Sequence, residues 1–133
     1  MSELAPSILS ADFMHLGEQL HTLEESGLKV LHVDVMDGVF VPSISFGMPV
    51  IKSIRTGCQM MFDVHLMIKE PARYIKEFVE AGADSITVHV EACSDIGETI
   101  TVMKQYPVKR ALSVNPGTDV NVLMPYLDQI DMV

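Results

Sequence analysis

His32-Val-Asp-Val-Met36, followed by Asp37-Gly38, and a second stretch, Asp63-Val-His-Leu-Met67, decide how this chain is read. Both read as strands. Successive strand side chains point to opposite faces. Val30, His32, Asp34 and Met36 therefore share one face, and Leu31, Val33 and Val35 share the other. In the second stretch Asp63, His65 and Met67 lie opposite Phe62, Val64 and Leu66. Ionisable groups taken out of water need a partner or a metal. A face carrying His-x-Asp-x-Met beside one carrying Asp-x-His-x-Met is therefore costly as plain core. Two imidazoles and a carboxylate, from His32, Asp34 and His65, converging from adjacent strands suit a divalent transition ion.

Outward from these stretches, short apolar strands alternate with amphipathic helices. A first strand is expected over Leu4–Leu9, followed by a helix capped at Asp12, carrying Phe13, Leu16, Leu20 and Leu23, and stopped at Gly27. Val30–Val35 is the second strand, and a helix runs from Pro49 to Gly57. Met60–Leu66 is the third strand, and a helix opens at Pro71 and ends at Gly82. Ser85–Val90 is the fourth strand, followed by a helix over about Asp95–Gln105 with Ser94 as cap. Val108–Val114 is the fifth strand. A helix opens at Thr118 or Asp119, and Pro125 should break or kink it. Ile130–Val133 reads as the start of a sixth strand.

Strict βαβ alternation with nearly all-apolar strands means an α/β protein whose parallel sheet is covered by helices. Glu25-Ser-Gly27 precedes the second strand and Glu80-Ala-Gly82 the fourth. Aligned on those glycines, Asp34 falls opposite His89 with the same inward parity. That favours a barrel of equivalent units over a doubly wound sheet, and no Gly-x-Gly-x-x-Gly or P-loop pattern follows the first strand. The expected fold is a TIM (β/α)8 barrel of which residues 1–133 hold about five βα units plus the start of strand six, a single partial barrel domain. A complete barrel typically takes about 250 residues, so the chain reads as the N-terminal part of a longer one.

Composition narrows the function classes. Apolar residues make up 48% of the chain and mean hydropathy is +0.28, enough for a sizeable core but in runs too short for a membrane helix. A net charge of −9 without a basic cluster argues against nucleic acid or an anionic membrane as partner. Cys58 and Cys93 fall at opposite ends of neighbouring strands, about 17–20 Å apart by strand length, far beyond disulfide reach. Two free thiols and no secretory signal point to the cytoplasm.

In barrels, polar residues at the C-terminal ends of the strands read as functional. His32, Asp34, Met36, His65, Met67, His89 and Glu91 all lie at such ends. A lone inward histidine such as His89 is more often a hydrogen-bonded core residue than a ligand, and methionines more often fill gaps. At these positions the sequence closely resembles the ribulose-phosphate 3-epimerase family. The matching stretches are Ala5-Pro-Ser-Ile-Leu-Ser-Ala-Asp-Phe13, His32-Val-Asp-Val-Met-Asp-Gly-Val-Phe-Val-Pro42, Phe46-Gly47, Asp63-Val-His-Leu-Met67, Val88-His-Val-Glu-Ala92 and Asn115-Pro-Gly-Thr118. Ser43 departs from the Asn usual in the family. The family's phosphate loop after strand six, its second acidic residue on strand seven and its later phosphate loops have no counterpart in these residues.

The resemblance implies an isomerase that epimerises carbon 3 of D-ribulose 5-phosphate, giving D-xylulose 5-phosphate of the pentose phosphate pathway through an enediolate. It implies that His32, Asp34 and His65 hold one divalent metal ion, for which zinc, iron, manganese and cobalt all suit the donors. Asp34 would also be a catalytic acid/base. Ser7, His65, Met36 and Met67 would contact the sugar phosphate, and a homo-oligomer is expected. An epimerase of a related six-carbon ketose phosphate would keep the same ligands. Without the second acid and the phosphate loops, 133 residues alone would be an inert half-barrel. The related decarboxylase and hexulose-phosphate synthase group resembles Asp-x-Lys-x-x-Asp, whereas this chain has Asp63, His65 and Ile68.

Overall fold

The computed structural model describes residues 3–133. Strands β1 (Val30–Met36), β2 (Met61–Met67), β3 (Ser85–His89) and β4 (Lys109–Ser113) form one parallel sheet in the order β1-β2-β3-β4. They are the second to fifth strands expected from the sequence. The β1–β2 register pairs His32 with Asp63, Asp34 with His65 and Met36 with Met67. In β3, Thr87 lies beside His65, and Ser85 beside Asp63.

Strand parity then sorts the two faces. Leu31, Val33, Phe62, Val64, Leu66, Ile86 and Val88 are sealed from water. They form one apolar cluster with Leu20, Ile51, Ile75, Phe78, Ile100 and Met103 from the helices. Helices α1 (Leu16–Glu25), α2 (Met48–Arg55), α3 (Ile75–Ala81) and α4 (Ile96–Met103) thus cover one side of the sheet. The other face carries Ser85, Thr87, His32, Asp34, Asp63, His65 and His89. One core on one face and a polar row on the other is the layering of a barrel wall, and the chain forms part of such a barrel.

Several boundaries differ from the expectation. Leu4–Leu9 is not a strand. Ser7 makes a single parallel bridge to His32, and Ile8–Ser10 tightens into a 3-10 turn capped by the Ser7 side chain. Pro6 has no N–H to extend the ladder; its carbonyl accepts from the His32 N–H at 2.9 Å. Asp12 caps a short 3-10 turn, Phe13–His15, rather than α1 itself, and Phe13 lies half exposed against Phe46. Asp95, not Ser94, caps α4, accepting from the Glu98 N–H at 2.8 Å. The last helix is a 3-10 run over Val120–Gln129 with Pro125 inside it. Proline lacks the N–H and crowds the carbonyl four residues back, so the tighter turn replaces the α-helix there. Ile130–Val133 makes one bridge, Met132 to Ala111. Cys58 and Cys93 are both free thiols. Among the described residues no helix is long and apolar enough to cross a membrane.

Gly82 ends α3 at φ 113°, a left-handed conformation that L side chains rarely adopt. A Cβ there would collide with Cδ of Arg55. Arg55 has little freedom to yield. Its guanidinium lies 3.8 Å over the Phe62 ring, donates to Asp84 at 3.1 Å and to the Met60 carbonyl at 2.9 Å, and also donates to the Cys58 carbonyl. Gly82→Ala is expected to cost about 1–3 kcal/mol, the usual scale for strained backbone. A thermal midpoint equal to wild type would contradict this.

Candidate functional site

The polar face of β1 and β2 gathers on one carboxylate. His32 Nε2 and His65 Nδ1 each lie 3.2 Å from Oδ1 of Asp34. The Ser7 hydroxyl donates to Oδ2 of the same group at 2.5 Å and accepts from the Leu9 N–H at 3.2 Å. His32, Asp34 and His65 offer ligand atoms that all lie within 4.8 Å of one another. Asp34 and His65 sit in the C-terminal halves of adjacent parallel strands and His32 near the middle of β1, where parity and register bring them together.

The donor set fits a cation. His32 Nδ1 lies 2.9 Å from Oδ2 of Asp63, which is almost fully buried. With its Nδ1 hydrogen given to Asp63, neutral His32 would turn the Nε2 lone pair onto the Asp34 carboxylate. Two electron-rich atoms 3.2 Å apart call for a proton or a metal between them. The Asp63 hydrogen bond accordingly pushes the His32 imidazole above its ordinary value, against the effect of burial. Burial raises the Asp63 carboxyl, but the contacts with His32 and Ser85 outweigh it and hold the group low. A carboxylate behind a ligating imidazole fixes tautomer and ring direction, the usual support around a metal.

His65 continues the network outward. Its Nε2 lies 2.8 Å from Nε2 of His89, with the ring centroids 5.0 Å apart and the two planes inclined by 21°, edge to edge. Burial first, and the neighbouring His89 second, push the His65 imidazole below its ordinary value. Phe40, from the loop after β1, packs 5.0 Å from the His89 ring.

Carboxylates also tie the loops around the site to one another in sequence. Asp37, after β1, accepts from the Lys69 N–H after β2 at 2.7 Å. Glu70 accepts from the N–H and hydroxyl of Ser94, after β3. Glu91 accepts from the Asn115 N–H at 2.7 Å and from the Thr118 hydroxyl, both after β4. All three carboxyls are held below their ordinary values. For Glu70 the Ser94 hydroxyl is the main cause; for Asp37 and Glu91 the hydrogen bonds overcome the upward push of burial. Groups with lowered folded values stabilise fully above their unfolded values and lose that contribution as pH falls through the folded ones. The loss should begin below the ordinary values of 4.5 for Glu and 3.8 for Asp. Asp37→Asn combined with Glu70→Gln should flatten the acid limb of the urea midpoint plotted against pH. An unchanged limb would show that these ties do not stabilise the loops.

The residues expected from the sequence are thus distributed in two groups. Ser7, His32, Asp34 and His65 come together. Met36 and Met67 are paired in register at the ends of β1 and β2, half-buried and one strand step beyond the cluster. Asp63, His89 and Glu91 take part in contacts that strand parity alone did not assign. Asp63 shares its face with His65, and that parity was the available signal.

Comparison with known proteins gives the chain its family. Residues 3–133 match the ribulose-phosphate 3 epimerase family model. The chain is 45% identical over 133 residues to ribulose-phosphate 3-epimerase of Bacillus subtilis (strain 168), covering 100% of this chain and 61% of that one. It is 45% identical over 130 residues to the enzyme of the same name from Treponema pallidum (strain Nichols), covering 98% and 60%. It is 42% identical to the chloroplastic ribulose-5-phosphate-3-epimerase of Arabidopsis thaliana over 132 residues, 98% of this chain and 47% of that one. The chain therefore spans about 61% of the Bacillus relative's length. In structure it is similar to tryptophan synthase subunit alpha from Legionella pneumophila str. Paris, a barrel protein, with a TM-score of 0.66, 14% identity, and coverage of 98% and 61%. At that identity the likeness concerns the fold. With the family model matched over nearly every residue, the chain belongs to the ribulose-phosphate 3-epimerase family.

Proposed function

We propose that this chain supplies the metal-holding side of a site that epimerises carbon 3 of D-ribulose 5-phosphate to D-xylulose 5-phosphate. The observation that carries the reading is Asp34 Oδ1 lying 3.2 Å from one nitrogen of each of two imidazoles while Ser7 engages Oδ2. His32, Asp34 and His65 are the ligands for one divalent ion: zinc, iron, manganese or cobalt. Such an ion supplies Lewis-acid stabilisation of the charge that develops on the substrate oxygens.

The chain's own residues divide the remaining work. Asp34 takes the carbon 3 proton from one face of the sugar and can return it, with Oδ2 as the proton-handling atom. Ser7 is suited to both states of Asp34. Its hydroxyl donates to the carboxylate, and its second lone pair can accept from the carboxylic acid while the Leu9 N–H keeps the oxygen in place. Asp63 holds the His32 ring through Nδ1. His65 borders the substrate, and Met36 and Met67 form a polarisable apolar wall beyond the ligands. Epimerisation also requires a second acid/base on the opposite face of carbon 3.

The test is turnover of D-ribulose 5-phosphate by the full protein in deuterium oxide. The expected product is D-xylulose 5-phosphate carrying deuterium at carbon 3. No epimerisation, or product without label at carbon 3, would overturn the reading.

A further inference from the structure

Glu91 and His89 present two buried polar atoms without partners, and the two face each other. His89 Nδ1 and Glu91 Oε2 are both sealed from water and unbonded, 3.6 Å apart. The other carboxylate oxygen, Oε1, is fixed by the Asn115 N–H and the Thr118 hydroxyl. On its inner side His89 meets His65, Nε2 to Nε2, at 2.8 Å. His65 in turn meets Asp34 through Nδ1. A line therefore runs from the loop after β4 through Glu91, His89 and His65 to the carboxylate at the centre of the site.

We infer that Glu91 and His89 are positioning residues that hold the His65 proton on Nε2 and so leave its Nδ1 lone pair for a cation at Asp34. The inference rests on the metal reading above. Only one hydrogen fits between the two Nε2 atoms. If a neutral His89 supplied it, the unprotonated Nδ1 of His89 would face the Glu91 carboxylate, lone pair against lone pair, out of water. If His65 supplies it, His89 carries its hydrogen on Nδ1, toward Glu91, and accepts at Nε2. Glu91 can only accept, so its charge selects the second arrangement. His65 Nδ1 is then unprotonated, which a metal-ligating imidazole nitrogen must be. Phe40 over His89 and the two anchors on Glu91 keep the line from rotating away.

The direction of the line gives an ordering that loss of packing would not. In Glu91→Gln, Asn115 and Thr118 still donate, so they take the amide oxygen. The amide NH2 then points at His89 Nδ1 and donates to it. His89 must carry its hydrogen on Nε2, against His65, and His65 loses its acceptor. In Glu91→Ala, His89 is free to choose the tautomer that accepts from His65. The near-isosteric Gln should therefore harm metal binding more than Ala does.

The experiment is zinc titration of the full wild-type protein and both variants against a competing chelator. Two-bond 1H–15N spectra of the zinc-loaded forms would locate the imidazole hydrogens. We expect wild type to show His65 protonated on Nε2 and His89 on Nδ1. We expect Glu91→Gln to weaken zinc affinity by about 10–100-fold, as loss of outer support around a metal does, and Glu91→Ala to weaken it less. Equal affinities, or Ala weaker than Gln, would overturn the inference while leaving the metal site standing. Wild type with His89 protonated on Nε2, alone or together with Nδ1, would also overturn it, whether or not either variant folds. Wild type that takes up no zinc would overturn the metal reading and this inference with it.

Discussion

Asp34→Asn should remove epimerisation while leaving the fold intact. The amide has the shape of the carboxyl, and its oxygen can still accept from Ser7 as Oδ2 does now. What it cannot do is take up a proton and release it again. General acid–base catalysis contributes about 10²–10⁴-fold, so kcat should fall by at least that much in the full protein. The loss should exceed this range, because Oδ1 also lies against both imidazole nitrogens and the amide weakens the ligand set. Metal content separates the two roles. With excess metal restoring full occupancy, a pure ligand defect recovers and a proton-transfer defect does not. Turnover within about tenfold of wild type would rule out Asp34 as the acid/base.

The same residue shows why so much of this site could be read from the sequence. His32, Asp34 and His65 are spaced two apart on strands or paired across them, and strand parity is a property of the backbone. Strand identity for β1 to β3 follows from apolar residues at alternate positions that seal against helices, whereas β4 buries the adjacent pair Ala111 and Leu112. The first strand was not legible because its pairing depends on Pro6, whose neighbours turn away after one bridge. Nor was the final helix, where a proline tightens the turn. The loop carboxylates were the least legible. Asp37, Glu70 and Glu91 each bond to a loop about one βα unit further on, and such a partner is set by the closure of the wall. Ser94 shows the ambiguity well: it sits where a helix cap is expected, yet its hydroxyl serves Glu70 while Asp95 caps α4.

His65→Ala should lower metal content and activity together, and added metal should partly restore activity. The geometry leaves His32 Nε2 and Asp34 Oδ1 as the remaining donors from this chain, 3.2 Å apart, too few to hold an ion tightly. Asp63→Asn provides the scale for this effect. It keeps every ligand and disturbs only the orientation of His32, so it should cost about 10–100-fold in metal affinity. His65→Ala removes a donor outright and should cost more than that. The substitution also strips His89 of its partner at 2.8 Å, but that contact lies on the far side of the ring from Asp34. Restoration by added metal therefore distinguishes the two consequences, since excess ion can refill a weakened site and cannot rebuild a lost ring contact. Unchanged metal stoichiometry by elemental analysis would show that His65 is not a ligand. Its closeness to Asp34 would then be a hydrogen bond between neighbouring strands, with Nδ1 as donor.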